Sequence, residues 1–282
     1  MAVTTLRATS PSVRAAQPLT AIVLATCAAI LCFSIVAILG WLALTGIPNS
    51  LRVLNPQYPG SVLAPIASTI YVTVLALPPT IIVGVFAAIA ATEARIFGLA
   101  AAGMRSALAL LGSLPTIVVA FAAVIGVNAL GWHPSLTGAA FLLAAINMPL
   151  MTGLAVDALS RKSMGVREAA TALGASPMFI VWRALLPNSG ARLGSAIIIV
   201  ATQLVGAAAG VAIVAGALVP RSGGAAPIGA WPLAVHVWVR GGDIGGYGAT
   251  AAAALFLGLM IWFLQGVAQL RGSPDARRRE VR

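Results

Sequence analysis

The side chains that usually carry chemistry are few in this chain and do not converge. His133 and His236 each stand apart from any Cys, Asp or Glu at ligand spacing, so neither reads as a metal site. Cys27 and Cys32 lie in one apolar block at a spacing that puts them on different faces of a helix, and are expected to pack in the interior rather than pair or bind metal. Asp157 and Glu168 are too far apart along the chain to be read as a catalytic pair. There is no GxSxG, no HExxH and no glycine-rich phosphate loop with its lysine, since the only lysine is Lys162. No catalytic and no metal residue is assigned, and the chain is not expected to hydrolyse ATP itself.

What remains is polar chemistry without titration. Thr69, Tyr71, Thr73, Ser113, Thr116, Asn147, Thr202 and Gln203 fall inside long apolar blocks. Such groups can line a solute pathway, and the proline-broken turn Ser113-Leu114-Pro115 can present backbone N–H groups to an oxyanion. The competing reading is that Ser and Thr hydroxyls bond to their own helix backbone or pack helix against helix. Gln203 stands out, because an amide at mid-span is costly without a partner. The run Gly206 to Gly216 suits close helix contact, either with a paired subunit or within the chain.

One polar interruption orders the rest. Glu168-Ala169-Ala170-Thr171-Ala172-Leu173-Gly174-Ala175-Ser176-Pro177 reads as two short helices meeting at a glycine. Gly165 caps the first, Glu168 falls in its first turn where the helix dipole favours an anion, and Gly174 takes the left-handed C-terminal position. Ser176 caps the second, with Pro177 at its first position. Val166 to Leu173 spans only ~12 Å at ~1.5 Å per residue, too short to cross a membrane or to be stable alone, so it needs a docking partner.

The elements that must hold this loop are membrane helices. The chain is 60% hydrophobic and 8% charged over 282 residues, with mean hydropathy +1.01, where a soluble globule carries roughly 25% charged residues. Apolar spans are expected over residues 19–44, 65–91, 104–130, 134–159, 193–219 and 247–270, between basic tails at 1–18 and 271–282. Pro78-Pro79 should kink or break the second span, and Gly112 to Pro115 the third. Of the 17 basic residues, all but Arg52, Arg221 and Arg240 then fall on one side, which assigns that side, both termini and the loop at about 160–190 to the cytoplasm and a second loop at about 220–247 to the exterior. The net charge of +11 forms no patch interleaved with aromatics, so lipid headgroups rather than nucleic acid are the expected counter-charge.

The spacing of Glu168-Ala169-Ala170, Gly174 and Leu186-Pro187 resembles the EAA loop of bacterial ABC-importer permeases, with Ala184 where that family usually has Ile. Ser68-Thr69-Ile70-Tyr71-Val72-Thr73, Leu114-Pro115-Thr116-Ile117-Val118, Asn147-Met148-Pro149, Asp157-Ala158-Leu159 and Trp231 to Trp238 extend the likeness over roughly residues 60 to 270, nearest to the phosphate-importer branch, the PstA permeases. The resemblance implies an all-α integral membrane protein with six transmembrane helices and a cytoplasmic coupling helix, the MetI-like type I fold, in a bacterial cytoplasmic membrane. It implies a non-enzymatic subunit forming half of a pathway for inorganic phosphate. Its partners would be a second, PstC-like permease, two ATP-binding subunits that hold ATP and Mg, an extracytoplasmic phosphate-binding protein, and lipid. It assigns coupling to Arg167, Glu168, Ala169, Ala170 and Gly174, with Arg161 and Arg183 also facing the ATPase. The pathway falls to Thr69, Thr73, Ser113, Thr116, Asn147 and Gln203.

One departure bears on cargo. That branch carries an Arg followed by Gly-Glu-Thr in span five, and the aligned positions here read Gln203 to Ala208, without charge. Either a second permease supplies the charge or the solute differs from phosphate. A permease for another small solute and a degenerate structural or regulatory subunit stay open as alternatives.

Overall fold

The computed structural model of the chain describes residues 11–92, 94–129, 136–160, 163–207, 231–240 and 247–272. Every regular element among them is helical: α1 (Pro11–Gly46), a 3-10 turn (Ile47–Asn49), α2 (Ser50–Val53), α3 (Leu63–Thr92), α4 (Ala94–Ser113), α5 (Thr116–Ala129), α6 (Leu136–Ser160), α7 (Ser163–Ala172), α8 (Pro177–Gly206), α9 (Leu233–Arg240) and α10 (Tyr247–Gly272). Five of the described helical stretches are long and apolar enough to cross a membrane: Ile22–Val53, Leu63–Thr92, Leu136–Ser160, Pro177–Gly206 and Tyr247–Leu270. A sixth crossing is available only if Ala101–Ser113 and Thr116–Ala123 act as one span, and they meet at 103°.

The bundle is built on α3, α6 and α8, with α10 against α8. Val72 and Ala76 of α3, Leu143, Met151 and Ala155 of α6, and Val181, Leu185 and Val200 of α8 close one core. Because surrounding lipid is as apolar as this core, close backbone approach and dispersion contribute more than apolar burial. Gly84 shows the consequence, since a Cβ there would stand 2.6 Å from Met151 Cγ. Gly46 does the same between α1 and α10, where a Cβ would come within 2.9 Å of the Ala251 backbone. A smaller cluster, Val53, Val62, Leu233, Ala252 and Ala253, joins the turn after α1 to α9 and α10.

Several expectations are corrected here. The first helix starts at Pro11, so residues 11–18 are helical and precede the candidate crossing that begins at Ile22, while 1–10 and 273–282 lie outside the described residues. Cys27 and Cys32 are exposed, not interior, because every residue of α1 from 22 to 40 is exposed, whereas Gly46 at its end packs closely on α10. Pro78-Pro79 does not break α3, which runs through both prolines. Their fixed φ is already helical, and Thr80 Oγ1 adds bonds to Ala76 O at 2.8 Å and Ala144 O at 3.4 Å that hold this part of α3 to α6. By contrast Gly112 to Pro115 does break the third segment, where Pro115 O accepts from Val118 and Val119 N–H at the start of α5. Most of the Gly206 to Gly216 run, and the end of span five beyond Ala207, lie outside the described residues.

Candidate coupling helix and solute pathway

The loop after α6 folds as its residue types require, with two differences. α7 ends in a Schellman turn: Ala175 N–H donates to Ala170 O at 3.0 Å, Gly174 N–H to Thr171 O at 2.9 Å, and Gly174 adopts φ +79°. Ala170 and Ala175 pack on the bundle core beside Val166, which supplies the apolar contact that accompanies this motif. Ser176 Oγ then accepts Phe179 N–H at 3.4 Å with Pro177 at the first helical position.

The first difference concerns Glu168. α7 begins by Ser163, not at Val166, so Gly165 is inside the helix and Glu168 lies beyond the first turn, where the N-terminal dipole has faded. Glu168 is exposed, as are Ala169 and Thr171, while Arg167 is half-buried. The second difference lies beyond Pro177. No separate short helix forms; the chain runs from Pro177 to Gly206 as one helix with a π-turn at Ile180–Leu185, where Leu186 N–H reaches back to Val181 O. Ile180, Val181 and Leu185 enter the core, and Trp182 meets Phe86 of α3 edge to face at 6.5 Å between ring centroids. The short turn around Gly174 thus joins α7 directly to the continuous helix α8.

Sequence reasoning passed over Leu173. It is 87% exposed, at the end of α7, with Met178 and Phe179 exposed just across the turn. The left-handed Gly174 directs the chain back towards the core and leaves Leu173 outside it. An apolar side chain next to a turn with no other assigned duty was the available signal.

The pathway candidates separate into fixed and unfixed groups. Thr69 is buried; its Oγ1 donates to Pro65 O at 2.8 Å and accepts Leu233 N–H at 2.7 Å, so it clamps α9 onto α3. Asn147 is buried and Nδ2 donates to Leu143 O at 2.9 Å. Ser113 Oγ donates to Leu110 O and Thr202 Oγ1 to Ile198 O, the local bonding that competes with a pathway role. Tyr71 OH and Thr137 Oγ1 lie 3.1 Å apart and join α3 to the start of α6. Thr73 Oγ1 is buried without a hydrogen-bond partner, and Thr116 is exposed at the start of α5. Gln203 is exposed on α8. The described hydrogen bonds join none of Thr73, Ser113, Thr116, Asn147 and Gln203 to another of the set.

Towards the α7 end of the bundle, a cleft of about 350 Å³ between α6 and α8 is lined by Asp157, Arg192 and Ser195 among others. Ser195 Oγ lies 3.2 Å from both Ala191 O and Ala268 O, which ties α8 to α10. His236 is buried on α9, and Arg161 and His133 lie outside the described residues.

No family model matches the chain. The probable ABC transporter permease protein YqgI of Bacillus subtilis (strain 168) is 30% identical over 148 residues, which is 48% of this chain, and the chain spans half the length of that relative. Two solved structures of inward-facing conformations of the MetNI methionine ABC transporter share the architecture. The native crystal form aligns with TM-score 0.61 at 19% identity over 74% of this chain and 93% of that one. The selenomethionine-soaked form aligns with TM-score 0.53 at 21% identity over 81% and 94%. The chain therefore has the all-α, MetI-like fold of type I ABC permeases.

Proposed function

We propose that the chain is the membrane-spanning permease subunit of an ATP-driven importer, and that α7 with Gly174 is its coupling element. The observation that carries this reading is a short helix closed by a Schellman turn, packed by Val166 and Ala170 on the bundle and offering Leu173 outward. The fold shared with a methionine ABC transporter and the likeness to a probable ABC permease support the same reading. On it, closure of two ATP-binding subunits displaces α7, the Gly174 turn passes the displacement to α8, and the bundle alternates its access. Arg167, Glu168 and Ala169 face or flank the ATPase, and Ala170 anchors the helix to the bundle. The surface lies in the cytoplasm and the chain in a bacterial cytoplasmic membrane, as the basic residues imply.

Cargo divides into two readings. The motifs around Thr69, Pro115 and Asn147 favour inorganic phosphate, delivered by a binding protein and carried between this chain and a second permease that supplies the missing charge. The neutral positions at Gln203 and Ala207, together with a structural neighbour that transports methionine, favour an uncharged or zwitterionic solute. Gln203 belongs to the pathway or to the second permease on either reading, because an exposed amide on a membrane helix needs a polar neighbour. The test is co-purification of the chain with an ATP-binding subunit, followed by vesicle uptake of labelled phosphate and of labelled amino acids. Phosphate uptake supports the first cargo and amino-acid uptake the second; absence of any ATP-binding subunit overturns the permease reading.

A further inference from the structure

Between the last turn of α3, α4 and the last turns of α6 lies a second cleft of about 350 Å³. Its walls include Ala91, Leu108, Ala109, Gly153 and Val156, and Arg105 is the one charged residue among the described residues that line it. Arg105 Nε donates to Ala101 O at 3.2 Å, which lays the stem along α4 and leaves the terminal N–H groups of the guanidinium for another acceptor. No carboxylate among the described residues pairs with it. Thr152, the only hydroxyl among the described lining residues, already donates to Met148 O at 2.8 Å.

These features favour one class of ligand. Among the described lining residues a small free anion would find a single guanidinium and no second charged donor, which is a poor site. An anionic phospholipid would set its phosphate on Arg105 in a bidentate contact and its acyl chain along the apolar walls, which are open at Gly153, where even a Cβ would meet nothing within 4 Å. The level also fits, because Ala91 and Val156 lie near the C-terminal ends of the candidate spans Leu63–Thr92 and Leu136–Ser160, where a headgroup is expected. We propose that this cleft is a specific site for an anionic phospholipid, whose phosphate binds Arg105 and whose chain fills the space between α3, α4 and α6. The site depends on the chain spanning a membrane and not on the importer reading. A lipid there would brace α4 against α6 just before the 103° bend into α5.

The experiment is native mass spectrometry of the full chain in mild detergent, titrated in parallel with phosphatidylglycerol and phosphatidylcholine. Wild-type protein is expected to retain one phosphatidylglycerol about fivefold more strongly than phosphatidylcholine. Arg105→Ala removes that preference, Arg105→Lys keeps most of it, and Ala109→Phe weakens retention of both lipids by filling the cleft. Added inorganic phosphate leaves the bound lipid in place. Equal retention of the two lipids by wild type, an unchanged preference in Arg105→Ala, or displacement by phosphate each overturns the proposal. The wild-type comparison decides even where a variant fails to fold.

Discussion

Thr69 Oγ1 accepts the backbone N–H of Leu233 at 2.7 Å, across 164 residues of sequence, and this buried bond fastens the first turn of α9 to the first half of α3. The same hydroxyl donates to Pro65 O, so it serves both sides of the contact at once. Thr69→Val keeps the shape and leaves the Leu233 N–H buried without an acceptor, a cost of about 1–3 kcal/mol. We expect a lower melting temperature in detergent and faster proteolysis around Trp231. Thr69→Ser should recover most of the loss, and equal stability of the Val and Ser variants would show that the bond contributes nothing.

Gly174 is required for its backbone, not for its size. Its φ is +79° and a Cβ would touch nothing within 4 Å, so Ala is expected to be as harmful as a bulkier residue, at roughly 1–2 kcal/mol for the left-handed conformation. Asn, which tolerates that region, should be milder. In a reconstituted complex the Gly174→Ala chain should retain ATP hydrolysis while losing transport per ATP. A graded loss from Ala to Leu to Trp would point to crowding instead.

Gly84 is required for its size. Gly84→Ala brings a methyl into Met151 and should cost about 1–3 kcal/mol, read as a fall in melting temperature. Met151→Ala opens a cavity when introduced alone, yet in the double variant it makes room for that methyl. The double variant is therefore expected to be more stable than the sum of the two losses, and strict additivity would place the contact elsewhere.

Gln203 is exposed on α8, and among the described residues no hydrogen bond is there for Gln203→Leu to disrupt. Stability of the isolated chain should change by less than about 0.5 kcal/mol, while uptake or assembly with a second permease falls. Unchanged uptake and assembly would remove Gln203 from the pathway and the interface alike.

The membrane helices were legible because lipid demands long apolar runs, and α6 and α10 fall within a few residues of their expected bounds. The turn at Gly174 and Ser176 was legible because left-handed φ and N-capping restrict residue type sharply. Less visible was the helical phase around it. Nothing local distinguishes a π-turn at Ile180–Leu185 from ordinary helix; it is set by which side chains reach the core. Cys27 and Cys32 were misread for a related reason: in a helix apolar all round, sequence does not say which side meets protein and which meets lipid. The polar residues inside the spans showed the same limit, since among the described residues Thr69 and Asn147 are held by hydrogen bonds while Gln203 is exposed without one, and composition alone does not separate them.

Site-specific cross-linking from the end of α7 tests the coupling role most directly. With Cys27 and Cys32 replaced, Leu173→Cys should form a nucleotide-dependent cross-link to an ATP-binding subunit in native membranes, because the side chain is 87% exposed and stands at the tip of the proposed docking helix. Capture of that subunit at Leu173, and not from an α1 position such as Leu31, is the predicted result. A cysteine at Leu173 that reacts freely with a water-soluble reagent yet captures no ATP-binding subunit in any nucleotide state would contradict it.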